Sequence, residues 1–311
     1  MDTTIVNIQK ILLWFLLLAG VLCSCQEKKF HVSVSLDSFA DMANSAYKID
    51  AEKIDENINR VVMADTDRET ADIHARRHYL NGGRLVWVTR DGVSAKADTL
   101  VAYLATVDSI GFSRERFCYS ALLDDLRRVR SLDFETRADS RNNINKVYAR
   151  LEYNLTKAFL RYTEGMRFGF MNPYDAFNRL DVRDRDSVRV SYRALYDVPT
   201  KRADKQFVAE AFDVMAKDDA SVGKFLKDSR PENPLYHTFL KRLGEPLSPD
   251  ERRLVLCNME RSRWRHGNYP QNHKKYVIVN VPSLHLDAVD GDERLTMRIG
   301  LGSLETKTPL L

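Results

Sequence analysis

Along most of this chain apolar residues recur at the spacing of a helix face, and only near the C-terminal end does the pattern become that of strands. Ile54, Ile58, Val61 and Val62 predict a helix within residues 30–70. Arg84 to Thr89 is a short β-like run set between two turn signals, Gly82-Gly83 and Asp91-Gly92. Leu100, Val101, Leu104 and Val107 share one side of a helix predicted over Ala97–Ile110 and ending near Gly111. The strongest periodicity spans Arg141–Glu164, where Ile144, Val147, Tyr148, Leu151, Leu155, Ala158, Phe159 and Tyr162 line one side. Ser140 and Gly165 are its expected caps. A loop at Asn172-Pro173 and the segment Val182–Val198 follow. The helical pattern then returns over Ala203–Lys227, Leu235–Leu243 and Asp250–Arg265, with a break bracketed by Pro246 and Pro249.

Near Tyr276 the character changes. Tyr276 to Leu286 reads as one β-branched, partly alternating strand and Leu295 to Gly302 as a second, with Asp290-Gly291-Asp292 as a hairpin turn between them. The expected fold class is therefore α+β, a mainly helical region followed by the first strands of an incomplete β-rich domain. Two strands are too few for an independently stable sheet. No internal repeat or low-complexity tract interrupts the chain.

Composition narrows the function classes. With 44% hydrophobic and 30% charged residues a buried core is within reach and global disorder is excluded. A formal net charge of +4 over 311 residues is too small to argue for a nucleic-acid partner, and none is expected. No Cys-x-x-Cys motif and no tight Cys/His cluster is present, so neither a metal nor a cofactor is expected.

The N-terminus suggests an address. Residues 11–22 are an unbroken apolar run preceded by Lys10. Coiled as a helix, such a run rises about 18 Å, short of a hydrocarbon core of roughly 30 Å, and so reads as the core of a secretion signal. Leu22-Cys23-Ser24-Cys25 resembles the cleavage region of a bacterial lipoprotein, with Cys25 as the lipidated residue. This implies a membrane partner through a lipid anchor and a periplasm-facing place in the cell envelope, at the inner or outer membrane. Of the other cysteines, Cys118 and Cys257 could pair in an oxidising compartment, but unpaired, buried thiols are the expectation.

Three stretches together resemble the L,D-transpeptidases with a helical scaffold domain (murein L,D-transpeptidases). Leu151 to Pro173 is similar to that family's scaffold helix and the turn after it, and Asn258 to Trp264 to the segment leading into its catalytic domain. Tyr276 to Pro282, Met297 to Gly302 and Thr308-Pro309 are similar to the opening strands of the catalytic domain. Trp87, Ala97-Asp98 and Gly111-Phe112 add weaker support. The resemblance implies a signal at 1–24, a tether at 25–29, a helical scaffold domain at 30–250, a junction at 251–275 and an N-terminal fragment of the catalytic domain at 276–311. It also implies peptidoglycan stem peptides as partners and a reaction, the cross-linking of stem peptides, that runs through a cysteine acyl-enzyme.

That reaction needs a thiolate, a histidine base and oxyanion donors. In the family these lie in a Ser-x-Gly-Cys-type motif beyond the Thr-Pro pair, and no cysteine here follows a glycine. The expectation is a chain truncated before its nucleophile and inactive, with no catalytic residue. The alternative is a non-enzymatic envelope lipoprotein that binds peptidoglycan or a cell-wall partner. His266, the histidine nearest Cys257 in sequence, would fall on the opposite face of a shared helix, which makes Cys257 a poor nucleophile. Asn258, Glu260, Arg261, Arg263 and Trp264 could contact substrate, but arginine forks and a tryptophan suit a packed, hydrogen-bonded joint between scaffold and catalytic domain.

Overall fold

The computed structural model describes residues 49–89, 92–185, 190–196, 198–266, 270–281, 283–303 and 305. The expected signal, Cys25, the tether and Thr308-Pro309 lie outside the described residues. The fold is α+β, mainly helical with small antiparallel sheets.

Ala51–Ala64 (α1) and Thr70–Leu80 (α2) precede a two-strand hairpin, Val88–Thr89 (β1) with Gly92–Val93 (β2). Lys96–Leu104 (α3), Tyr119–Ser131 (α4) and Ile144–Phe168 (α5) follow. Of the 25 residues of α5, 20 are buried, including Glu152, Lys157 and Arg161. A helix covered on every side is the axis of a core, and α1, α2, α3 and α4 all pack against this one. Their shared interior holds Ile54, Ile58, Trp87, Leu100, Leu104, Phe117, Leu122, Leu155 and Phe159.

Several boundaries differ from those read in the sequence. Helix α5 starts after Asn143, whose side chain accepts from the Asn145 N–H. Ser140 instead donates its hydroxyl to Glu135 at 2.6 Å. The helix runs on past Gly165, which sits inside it because the Phe170 ring lies where a Cβ would be, and it ends at Gly169. The predicted helix over Ala203–Lys227 is two, Lys205–Met215 (α7) and Asp219–Asp228 (α8), because Asp218 turns its carboxylate onto the Ser221 N–H and begins a new helix. The β-like run at 84–89 yields only two ladder residues. The N–H groups of Val86, Trp87 and Val88 are instead taken by the buried Glu152 carboxylate, at 2.6, 3.0 and 2.9 Å.

After α5 come Pro173–Phe177 (α6) and a hairpin of Val182–Arg185 (β3) with Val190–Tyr192 (β4). Beyond α8 stand Pro234–Leu243 (α9) and Pro249–Arg261 (α10), the latter opened by a Ser248/Glu251 capping box with Pro249 in the first turn.

The C-terminal segment holds three strands, not two: Lys275–Asn280 (β5), His285–Asp290 (β6) and Glu293–Arg298 (β7), antiparallel in the order β5-β6-β7. The run read as one strand turns after Asn280, whose Oδ1 accepts from the Ser283 N–H, and Leu284 takes φ 56°. The Asp290-Gly291-Asp292 hairpin stands as read. The register puts Val277, Val279, Leu286, Ala288, Leu295 and Met297 on one face. Val277, Val279, Leu295 and Met297 are exposed there.

Candidate functional site

The five residues expected at the joint sit at the end of α10, and the structure separates them into two groups. Val255 and Met259 turn inward, and a four-residue step sets the buried side of the helix. Glu260, Arg263 and Trp264 follow on that side, all buried. Asn258 and Arg261 face outward: Arg261 reaches Asn258 Oδ1 at 3.4 Å and lays its guanidinium over the Phe177 ring, 5.7 Å from the centroid.

Glu260 is the hub. Its Oε1 accepts from the backbone N–H of Met171 at 2.8 Å and from Trp264 Nε1 at 3.4 Å. Its Oε2 accepts from Arg263 Nη1 at 3.0 Å. The Arg263 guanidinium lies among Phe112, Phe170 and Tyr236, 5.5, 5.4 and 5.1 Å from their ring centroids, and its Nε and Nη2 find no hydrogen-bond acceptor. The aromatic faces supply part of what an acceptor would. Trp264 stands edge-on to Phe177 and Tyr196, at 5.9 and 6.0 Å.

What the sequence reading missed is the other half of this joint, Gly169, Phe170 and Met171. Gly169 adopts φ 94° and ψ 146°, a region essentially reserved for glycine. A Cβ there would stand 2.5 Å from Trp264 Cδ1 and 2.9 Å from Glu260 Oε1. The signal was legible in Phe168-Gly169-Phe170, a glycine between two large rings at the end of the longest helix, but its partners lie some ninety positions away.

The joint can hold two segments rigidly, but it carries no acyl-transfer machinery. Among the described residues neither thiol hydrogen-bonds a histidine. Both cysteines are free, as expected, but the expectation that they are buried is wrong for Cys257, which is exposed. It lies midway between the inward-facing Val255 and Met259 and so points the other way. Cys118 is half-buried, and burial pushes its thiol up, away from the reactive thiolate. His74 Nδ1 lies 2.8 Å from Glu164 Oε1, and His78 meets the Arg84 carbonyl while stacking on Phe212. Among the described residues no group of three or more His, Cys, Asp or Glu side chains is placed to hold a metal ion. No described helix is long and apolar enough to cross a membrane.

A second charged cluster lies along the middle of α5. Arg161 grips Asp72 through Nε at 2.7 Å and Nη2 at 3.0 Å, and Lys157 Nζ bridges Asp65 and Asp67, both at 2.7 Å. Each cation here has its carboxylates, which marks the cluster as an internal brace between α5 and the α1–α2 connection.

In comparison with known proteins, the Scaffold domain family matches residues 75–243. No curated protein and no solved structure matches the chain. The matched span runs from within α2 to the last residue of α9, takes in the whole of α5 and covers more than half of the 311 residues. The chain belongs to the Scaffold domain family.

Proposed function

We propose that this protein is the scaffold-bearing part of an L,D-transpeptidase-type lipoprotein of the cell envelope, anchored through Cys25 and associated with peptidoglycan stem peptides. One observation carries the reading: the Scaffold domain match is followed by a locked joint and then by a β-rich segment, the order that the resemblance to murein L,D-transpeptidases implies. In this reading Glu260, Arg263 and Trp264 fix the end of the helix that leads to the β segment onto the helical body, while the chain is tethered beside its substrate. A rigid support of this kind keeps reacting groups aligned.

A second reading is favoured by a different observation. The described residues bring no thiol and imidazole together, which supports a role in binding and positioning over one in acyl transfer. On this reading the protein is a non-enzymatic lipoprotein that holds peptidoglycan or a cell-wall partner.

Expression of the full chain in a strain lacking L,D-transpeptidases, followed by muropeptide analysis and by sedimentation with isolated sacculi, tests both. Neither reading gives this chain a nucleophile, so unchanged cross-links are expected and new cross-links between diaminopimelate residues overturn both. Retention on sacculi that free stem peptides compete away supports the first reading, retention that they do not compete away supports the second, and no retention counts against the two together.

A further inference from the structure

Helix α2 carries two histidines one turn apart, His74 and His78, and both line a cavity of about 450 Å³ between α2 and α7. Residues four apart on a helix share a face, with their Cβ atoms about 5–6 Å from each other. Val208, Ala209 and Phe212 of α7 give the cavity its apolar wall.

Each ring has one nitrogen tied down. The Glu164 carboxylate accepts from His74 Nδ1 at 2.8 Å, and the Arg84 carbonyl accepts from His78 Nε2 at 3.0 Å. A carbonyl oxygen can only accept, so the His78 ring carries its proton on Nε2. Burial holds that ring below its ordinary value of 6.5, and the neutral ring keeps a lone pair on Nδ1. Phe212 stacks on it with 3.8 Å between centroids and fixes its plane. Glu164 is buried too, and burial lifts its carboxyl above its ordinary value of 4.5 despite His74 beside it. A more basic carboxylate pulls harder on the Nδ1 proton and makes His74 Nε2 the stronger ligand. Neither His74 Nε2 nor His78 Nδ1 has a hydrogen-bond partner among the described residues.

An imidazole whose second nitrogen is held by a carboxylate or a backbone carbonyl is the arrangement of a metal-ligating histidine. Arg77 and Lys205 line the same cavity and disfavour an ion held by charge alone, such as Mg²⁺. Binding must then come from nitrogen lone pairs, which suit Ni²⁺, Cu²⁺ and Zn²⁺. We infer that His74 Nε2 and His78 Nδ1 form a two-histidine site for such a transition-metal ion, with water completing its coordination. Two protein ligands are fewer than a closed structural site uses, so the ion is exchangeable. The inference rests on no part of the transpeptidase reading.

The test is titration calorimetry of the full chain with nickel chloride near neutral pH. Saturable binding with a dissociation constant of about 100 μM or tighter is expected, and none with magnesium chloride. His74→Gln and His78→Gln should each weaken it at least about tenfold, and Glu164→Gln, a positioning change behind His74, about tenfold. His237→Gln, at an exposed position of α9, should leave it unchanged. Because His74→Gln also breaks the pair with Glu164, a second readout uses unaltered protein: paramagnetic Ni²⁺ should broaden the NMR signals of the His74 and His78 rings before those of any other histidine. No saturable binding of Ni²⁺ up to about 1 mM, wild-type affinity in both histidine variants, or broadening centred on other histidines overturns the inference.

Discussion

The Glu260 carboxylate accepts the backbone N–H of Met171 at 2.8 Å, so the helix that leads toward the C-terminal sheet is tied to the first turn beyond the central helix. A single side chain in α10 thereby sets the path of the chain after α5. Because Glu260 also holds Arg263 and Trp264, the tie is charged, aromatic and buried at once.

Gly169→Ala should damage this joint directly. The substitution forces an L side chain into a glycine-only backbone region, a cost of about 1–3 kcal/mol. It also drives a methyl group into Trp264 and Glu260. A total loss of about 2–4 kcal/mol is expected in denaturant unfolding. A change below about 0.5 kcal/mol, the range of an inert surface substitution, would show that the joint yields freely.

Glu260 and Arg263 should be strongly coupled. Glu260→Ala leaves the Arg263 guanidinium buried with no carboxylate, which costs about 3–5 kcal/mol. Arg263→Met replaces it with an apolar side chain that suits the ring box of Phe112, Phe170 and Tyr236. The double variant should be less destabilised than the sum of the singles by at least about 1 kcal/mol, and strict additivity would refute the pairing.

The brace on α5 predicts a pH dependence with a definite sign. The Lys157 ammonium beside Asp67 holds that carboxyl below its ordinary value of 3.8. Burial pushes Asp65 up, but hydrogen bonds from Lys157 and Tyr153 bring it net below the same value. Carboxylates depressed on folding contribute stability that is present above their ordinary value and is lost as pH falls through the lowered one. Lys157→Met should therefore destabilise the protein near neutral pH, and the gap from the wild type should narrow below about pH 4. A gap that is constant with pH would contradict the ion-pair origin.

The two described thiols should differ in reactivity. Cys257 is exposed, whereas Cys118 is half-buried with its thiol pushed up. Brief alkylation of the native protein near neutral pH, read by peptide mapping, should modify Cys257 at least about tenfold faster than Cys118. Equal rates in the native state, like those expected in denaturant, would mean that Cys118 is not protected.

Local periodicity made the helices legible, and long-range pairing hid the rest. The 3.6-residue periodicity from Ile144 to Tyr162 marked the central helix because every apolar position that carried it faces the interior. Its ends were misplaced because Ser140 and Gly165 are end-forming residue types that nearby residues, Glu135 and Phe170, put to other uses. The strand near Trp87 read longer than it is because nothing local tells that Glu152, more than sixty positions on, takes its N–H groups. At the joint, Glu260, Arg263 and Trp264 were legible as a charged and aromatic group, whereas their pairing with Gly169 and Met171 became visible only once the chain was folded back on itself. Asn258 and Arg261 were grouped with them as parts of one contiguous stretch, and the helical turn leaves Asn258 half-buried and Arg261 exposed.

Co-sedimentation of the full chain with purified sacculi tests the proposed function most directly. The account predicts that wild-type protein pellets with sacculi and that Gly169→Ala, which loosens the joint, pellets less. Recovery of the folded wild-type protein wholly in the supernatant would contradict a role at the peptidoglycan.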